Sequence, residues 1–274
     1  MRRIARMAIL HVLLVLGALL TLAPLGWMLA LSLTPVVDGG GGAEIGGLPQ
    51  HLTLAHYRSL FSGLALGRAI FNSAVLAATV TLIALLLDSM AGYALAKLRF
   101  AGRERLVRIM LGALVIPAQV TMLPLFLMLK ELGLVNTYAG VVIPGMASIF
   151  GIFLIRQYAL AIPDTLLDAA RIDGASEWRI YWSIVLPACR PILVTLALFT
   201  FMGTWNDFMW PLIVLMDDEM HTLPVALASL IGEHAQDPEL MMAGAVLAVL
   251  PVVVLFMAFQ RHYIAGIMSG ALKE

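Results

Sequence analysis

Two stretches of this 274-residue chain carry residues suited to chemistry or recognition. The first is Trp205-Asn206-Asp207, an aromatic ring beside an amide and a carboxylate. Such a trio suits a polyhydroxylated ligand, whose C–H face stacks on the ring while its hydroxyls hydrogen-bond to the polar groups. The same residues also suit a hydrogen-bonded knot between helices. The second is the polar interval from Arg156 to Arg190, set among apolar runs and holding Asp168, Arg171, Asp173 and Gly174. Covalent and metal chemistry have little support. The single Cys189 forms neither an intramolecular disulfide nor a metal site, and the six histidines are scattered. His234 has no neighbour at metal-ligand spacing. No Ser/His/Asp set or His-Glu-x-x-His occurs. A phosphate-binding loop needs Gly-Lys-Ser/Thr, and none of Lys97, Lys130 and Lys273 has that context.

Composition fixes what must position these groups. Hydrophobic residues make up 61% of the chain and charged residues 12%, with a mean hydropathy of +0.96. Soluble domains carry about 25% charge, so the chain belongs to the integral membrane class. A helix needs roughly 20 apolar residues to cross about 30 Å of hydrocarbon. Runs of that kind occur at Met7–Val37, Ala69–Leu87 (continuing past Asp88 to Ala96), Ile109–Leu129, Leu132–Ile155, Pro191–Met216 and Leu240–Gln260. Six spans are expected, with a tight turn at Gly133–Tyr138 between the third and fourth. The first run is longer than a signal-peptide core and is read as an uncleaved span.

Six spans put both termini on one side. That side then holds 14 Lys and Arg and the opposite side 3, namely Arg58, Arg68 and Lys130. The positive-inside rule places both termini in the cytoplasm. The first outer loop holds four consecutive glycines, read as a flexible link, and Thr53–Phe61, read as a short surface helix. The outer loop after span five is acidic: Asp217, Asp218, Glu219, Glu233 and Asp237. Asp88 and Asp207 lie within predicted spans, where a carboxylate costs at least about 2.5 kcal/mol and faces a bundle interior or cavity. Asp88 is read as a packing acid hydrogen-bonded to a neighbour.

The Arg156–Arg190 loop is long enough to be functional in its own right. Pro163-Asp164 reads as a helix start, Asp173-Gly174 as a break, and Ser176 as the cap of a second helix. Trp178, Ile180, Tyr181, Trp182 and Ile184 give that helix an apolar, aromatic face, and Pro187 and Pro191 are read as ending it. The result is a helix–turn–helix at the membrane surface whose face requires lipid, the rest of the chain or another subunit.

This loop resembles the conserved segment of ABC importer permeases: Glu-Ala-Ala, three residues, Gly, nine residues, Ile, one residue, Leu-Pro. Here Asp168-Ala169-Ala170, Gly174, Ile184 and Leu186-Pro187 stand at that spacing. Asp168 replaces the usual Glu; its charge is kept and its reach is one methylene shorter. Gly151-Ile-Phe-Leu-Ile-Arg-Gln157, Arg171-Ile-Asp-Gly-Ala-Ser176, Trp205-Asn-Asp207 with Pro211-Leu212, Thr222-Leu-Pro224 and Gly270-Ala-Leu-Lys273 resemble the carbohydrate-uptake, maltose-type branch. The resemblance covers most of the chain from about Asn72 onward.

The resemblance implies an all-α polytopic fold with six transmembrane helices. It implies one transmembrane domain over residues 1–274, with core spans at about 69–262 and an ATPase-docking loop at 156–190. The coupling residues would be Asp168, Ala169, Ala170, Arg171, Asp173, Gly174, Ala175, Ile184, Leu186 and Pro187, and the substrate pathway Trp205, Asn206 and Asp207. The partners implied are a second, different permease chain, a pair of ABC ATPases holding ATP and Mg, an extracytoplasmic solute-binding protein and the lipid bilayer, with no nucleic acid. The chain itself would be a transport subunit without catalytic residues or cofactor, in the bacterial inner membrane, moving a sugar or related polyol. An ion-gradient-driven secondary transporter is the competing reading. Such carriers often show two similar halves, and no internal repeat is evident here.

Overall fold

A computed structural model describes residues 2–35, 52–62, 66–233 and 237–271. Helices dominate: α1 (Arg2–Ser32), α2 (Ala55–Ser62), α3 (Leu66–Lys97), α4 (Arg103–Ala113), α5 (Ala118–Glu131), α6 (Tyr138–Gly145), α7 (Ile149–Leu160), α8 (Asp164–Ile172) and α9 (Glu177–Ile180). A π-helical turn over Tyr181–Val185 follows, then α10 (Leu186–Ala188), α11 (Arg190–Trp205), α12 (Met209–Val214), a 3-10 turn over Asp218–Met220, α13 (Leu223–Glu233) and α14 (Pro238–Ala271). Among the described residues, four helical stretches are long and apolar enough to cross a membrane, at Ile9–Ser32, Leu66–Lys97, Tyr138–Leu160 (α6 and α7 together) and Pro238–Phe259. The count rises to six if two bent helix pairs are one span each.

Those bent pairs correct the sequence reading. The third expected span is α4 and α5, which meet at 104°. Pro117 is extended there (ψ 135°), and the residue before a proline is pushed out of the helical region, so the helix stops and restarts in a new direction. Hydropathy was blind to this because Leu114–Ile116 are as apolar as the helices they join. The fourth span starts at Tyr138, with Thr137 Oγ1 accepting the Gly140 N–H. The turn before it forms as expected, with Gly133 (φ 66°) and Asn136 (φ 58°) left-handed.

The helix beginning at Ser176 does not end at Pro187. It widens into the π turn, in which the Leu186 N–H reaches the Tyr181 carbonyl, and continues through Pro187 to Ala188. Proline has no N–H to place in the α-helical ladder, and the changed register accommodates it. The bend falls instead at Cys189, where Glu177–Ala188 meets Arg190–Trp205 at 78°. The fifth span is interrupted too, at Asn206–Phe208 between α11 and α12.

The chain divides into two compact units. The first comprises Met1–Gly67 and Ala226–Val252. Within it, α2 forms where a short surface helix was expected, and it is tied to the end of α1. His56 Nε2 pairs with the Thr34 carbonyl at 2.8 Å, and the Ser32 and Tyr57 hydroxyls meet at 2.8 Å. A Cβ at Gly244 would come within 2.5 Å of Leu227 Cδ2, so α13 and α14 approach closely at that glycine. The four-glycine stretch, His234 and Lys273 lie outside the described residues.

The second unit, Arg68–Val225 with Val253–Glu274, holds both candidate sites. Its α3 crosses α7 where small residues permit it. A Cβ at Gly92 would meet Ile155 Cγ2 at 2.8 Å, and one at Gly151 would collide with the Asp88 carboxylate. Asp88 is wholly buried. Its Oδ1 accepts the Ser148 N–H at 2.9 Å, at the start of α7, where Ser148 Oγ in turn accepts the Gly151 N–H at 3.1 Å. The packing role expected of Asp88 is therefore specific: it satisfies an orphan donor at a helix N-terminus. At the far end of α3, Asn72 Nδ2 donates to the carbonyls of Glu219 and His221, and Ser73 Oγ accepts the Leu223 N–H.

Candidate functional site

The interval 156–190 folds as a helix–turn–helix. Asp164 starts α8 after the extended Pro163. The helix closes with a Schellman motif: the Gly174 N–H bonds the Arg171 carbonyl at 3.0 Å, and the Ala175 N–H reaches back to Ala170 at 2.9 Å. Gly174 sits at φ 81°, the left-handed position that glycine fills without steric cost. Ser176 Oγ then accepts the Arg179 N–H and caps α9.

One face of this hairpin is anchored. Leu167, Ile180, Tyr181, Val185 and Cys189 are buried with Tyr93, Ala96, Ala159 and Ile162 in one cluster, and Ala170, Ala175, Ile184 and Leu186 pack against it. The other face is open. Asp168, Ala169, Asp173, Gly174 and Pro187 are exposed, and Ile172, at the tip, is 86% exposed. A Cβ on Gly174 would touch nothing within 4 Å. The ten residues named for the docking loop thus lie on one hairpin, with Ala170, Ala175, Ile184 and Leu186 packed inward and Asp168, Ala169, Asp173, Gly174 and Pro187 exposed.

Arg171 organises the presented set. Its Nη1 donates to Asp168 Oδ1 at 2.7 Å and its Nε to Glu177 Oε1 at 2.8 Å. Glu177 also accepts the Tyr93 hydroxyl. Bonds from Arg171, then Tyr93, hold the Glu177 carboxyl below the 4.5 of an ordinary glutamate, and bonds to Glu177, then Asp168, push the Arg171 guanidinium up. Asp164 is lowered by its bond to Lys97 Nζ, 2.6 Å away. A carboxyl lowered in the folded state adds stability that is present above its unfolded value and is lost as pH falls through the folded one. The hairpin is therefore expected to keep its fixed structure on acidification to pH 4.5 and to loosen only below it. Fluorescence of Trp178, one residue from Glu177, checks this; a change centred above pH 5 would contradict it.

Sequence reasoning missed Ser89, Tyr93, Lys97 and Glu177. The signal was present as three polar residues four apart at the end of an apolar span, which puts them on one helix face.

The trio at 205–207 is not gathered on one surface. Trp205 is 2% exposed and stacks on Phe201 with ring centroids 6.0 Å apart. Asn206 is exposed and donates to the Met202 carbonyl at 2.8 Å. Asp207 is half-buried in the break before α12, and its Oδ1 accepts the Trp210 N–H at 3.3 Å. Of the three, only Asn206 stands exposed to a solute; Asp207 acts as a local cap and Trp205 as packing.

Among the described residues the chain is helical and holds several stretches long and apolar enough to cross a membrane, which puts it in the class of multi-span membrane proteins. Residues 88–268, well over half of the chain, match the family described as binding-protein-dependent transport system inner membrane component. The chain belongs to that family and is a multi-pass membrane permease component. It is 40% identical over 226 residues to the arabinooligosaccharides transport system permease protein AraQ of Halalkalibacterium halodurans, covering 82% of this chain and 81% of that one. It is 35% identical over 215 residues to the lactose transport system permease protein LacG of Rhizobium radiobacter, covering 78% of each. Among solved structures, a chain of a bacterial ABC transporter involved in import of the acidic polysaccharide alginate superposes with a TM-score of 0.83 at 26% identity, over 94% of this chain and 96% of that one.

Proposed function

We propose that this chain is one of two permease subunits of an ATP-driven importer for a sugar or related polyol. The observation that carries the reading is the seated hairpin with its open Gly174 tip, in the sequence context of the importer family. Similar proteins are transport components for arabinooligosaccharides and lactose, and the structural neighbour takes part in alginate import. All three solutes are saccharides, which supports the substrate class.

In this reading the hairpin docks on one of a pair of cytoplasmic ATPases that bind ATP and Mg, and an external solute-binding protein delivers the sugar. Closure of the ATPase pair shifts the hairpin and with it the spans that bound the solute path, a rigid-body switch. The excess of Lys and Arg on the terminal side supports cytoplasmic termini and a cytoplasmic hairpin. The second permease is a different chain.

The test is uptake of labelled arabinooligosaccharides and lactose into proteoliposomes holding the complex purified from its host, with binding protein outside. Uptake should require internal ATP and persist when ionophores collapse proton and sodium gradients. Uptake that follows an ion gradient without ATP would favour a secondary transporter. Asn206→Ala should slow transport about three- to tenfold, the effect of one lost hydrogen bond, with membrane insertion unchanged. Unaltered uptake would remove Asn206 from the solute path.

A further inference from the structure

The inner end of α3 carries Ser89, Tyr93 and Lys97 four residues apart on one face, and each meets the hairpin or the strand of chain leading into it. The Ser89 and Tyr181 hydroxyls lie 2.7 Å apart. Lys97 Nζ donates to the Ile162 carbonyl and to Asp164 Oδ1, both at 2.6 Å. Between them the Tyr93 hydroxyl donates to Glu177 Oε2. Glu177 holds Arg171, and Arg171 holds the exposed carboxylate of Asp168.

We infer that Tyr93 is a positioning residue for ATPase docking: its hydroxyl, through Glu177 and Arg171, fixes where Asp168 is presented. The chain of contacts Tyr93–Glu177–Arg171–Asp168 joins a membrane-spanning helix to the first acidic position of the docking surface. This inference rests on the docking role proposed above. The Tyr93 ring is buried in the cluster that seats the hairpin and lies 5.9 Å from the Tyr181 ring, and phenylalanine would fill the same space. The hydroxyl is given over to Glu177. Removing it therefore leaves the packing in place and changes only the polar chain. Within α8 Asp168 pairs with the Arg171 guanidinium at i,i+3 spacing, so its side chain is used inside the loop as well as offered outward.

The experiment is a double-mutant cycle on the whole complex in nanodiscs, reading the rate at which the ATPase pair dissociates on dilution. Tyr93→Phe should speed dissociation about tenfold, the low end of the range for losing a hydrogen bond to a charged group. Glu177→Ala should do at least as much. The double variant should match Glu177→Ala alone, because both act through one chain. A purely structural role for Tyr93 would give multiplying effects, and that result overturns the inference. So does dissociation of Tyr93→Phe at the wild-type rate. If Tyr93→Phe lowers the yield of complex, Glu177→Ala still decides, since its side chain is half exposed; wild-type dissociation in that variant overturns the inference. A wild-type preparation that contains no ATPase overturns both the inference and the functional reading beneath it.

Discussion

Gly174→Val is expected to abolish uptake while the protein still inserts and folds in the membrane. The separation of the two effects comes from the geometry. No neighbour lies within 4 Å of where a side chain would start, so there is no clash to unfold the protein. The backbone, however, is left-handed at φ 81°. That conformation costs an L-residue about 1–2 kcal/mol, and a β-branched residue is the least suited to it. Valine is expected to relax the turn, break the Schellman bonds to Arg171 and Ala170, and swing the exposed tip away from its docking position. Gly174→Asn separates shape from bulk, because asparagine tolerates the left-handed region. It should retain a substantial part of transport. If Asn and Val variants fail alike, the bare surface of glycine matters and not its dihedral angles. If Val transports normally, the coupling role assigned to this turn is wrong.

The second large effect is on stability. Gly151→Val should cost at least about 3 kcal/mol, the upper range for overpacking a tight interior, and should sharply lower the yield of folded protein. The added carbon would land on the Asp88 carboxylate and within 3.2 Å of Leu196 Cδ2. The partner side chain is short and fixed by its bond to the Ser148 N–H, so it cannot swing clear. Gly151→Ala should be milder and should depend on Asp88: in an Asp88→Ala background much of its cost should vanish. Thermal unfolding in detergent of the two single variants and the double one reads this coupling, which should reach about 1–3 kcal/mol, as for side chains in contact. Additive losses would mean that Asp88 and Gly151 do not share the same space.

Much of this architecture was legible because it rests on local rules. The hairpin at 156–190 could be read because Pro163, Gly174 and Ser176 each do what their backbone chemistry dictates: start, turn and cap. The turn at Gly133–Asn136 was readable for the same reason. The bends were not read, because hydropathy reports how apolar a stretch is and not which way it runs. Pro117 and Pro187 show the difficulty: one breaks a helix by 104° and the other sits inside a continuing helix through a change of register. Ser89, Tyr93 and Lys97 were hidden because their partners lie 63 or more positions away in sequence. Trp205 illustrates the opposite case: its residue type allowed both a ligand contact and a structural role, and in the fold it is buried and stacks on Phe201.

The most direct test of the account is purification of the tagged chain from its native host in gentle detergent, with co-purifying proteins identified by mass spectrometry. The expected result is an ABC-type ATPase together with a second, different multi-span permease. Recovery of this chain alone, still able to transport in an ion-gradient assay, would contradict the account and make the protein a self-sufficient carrier.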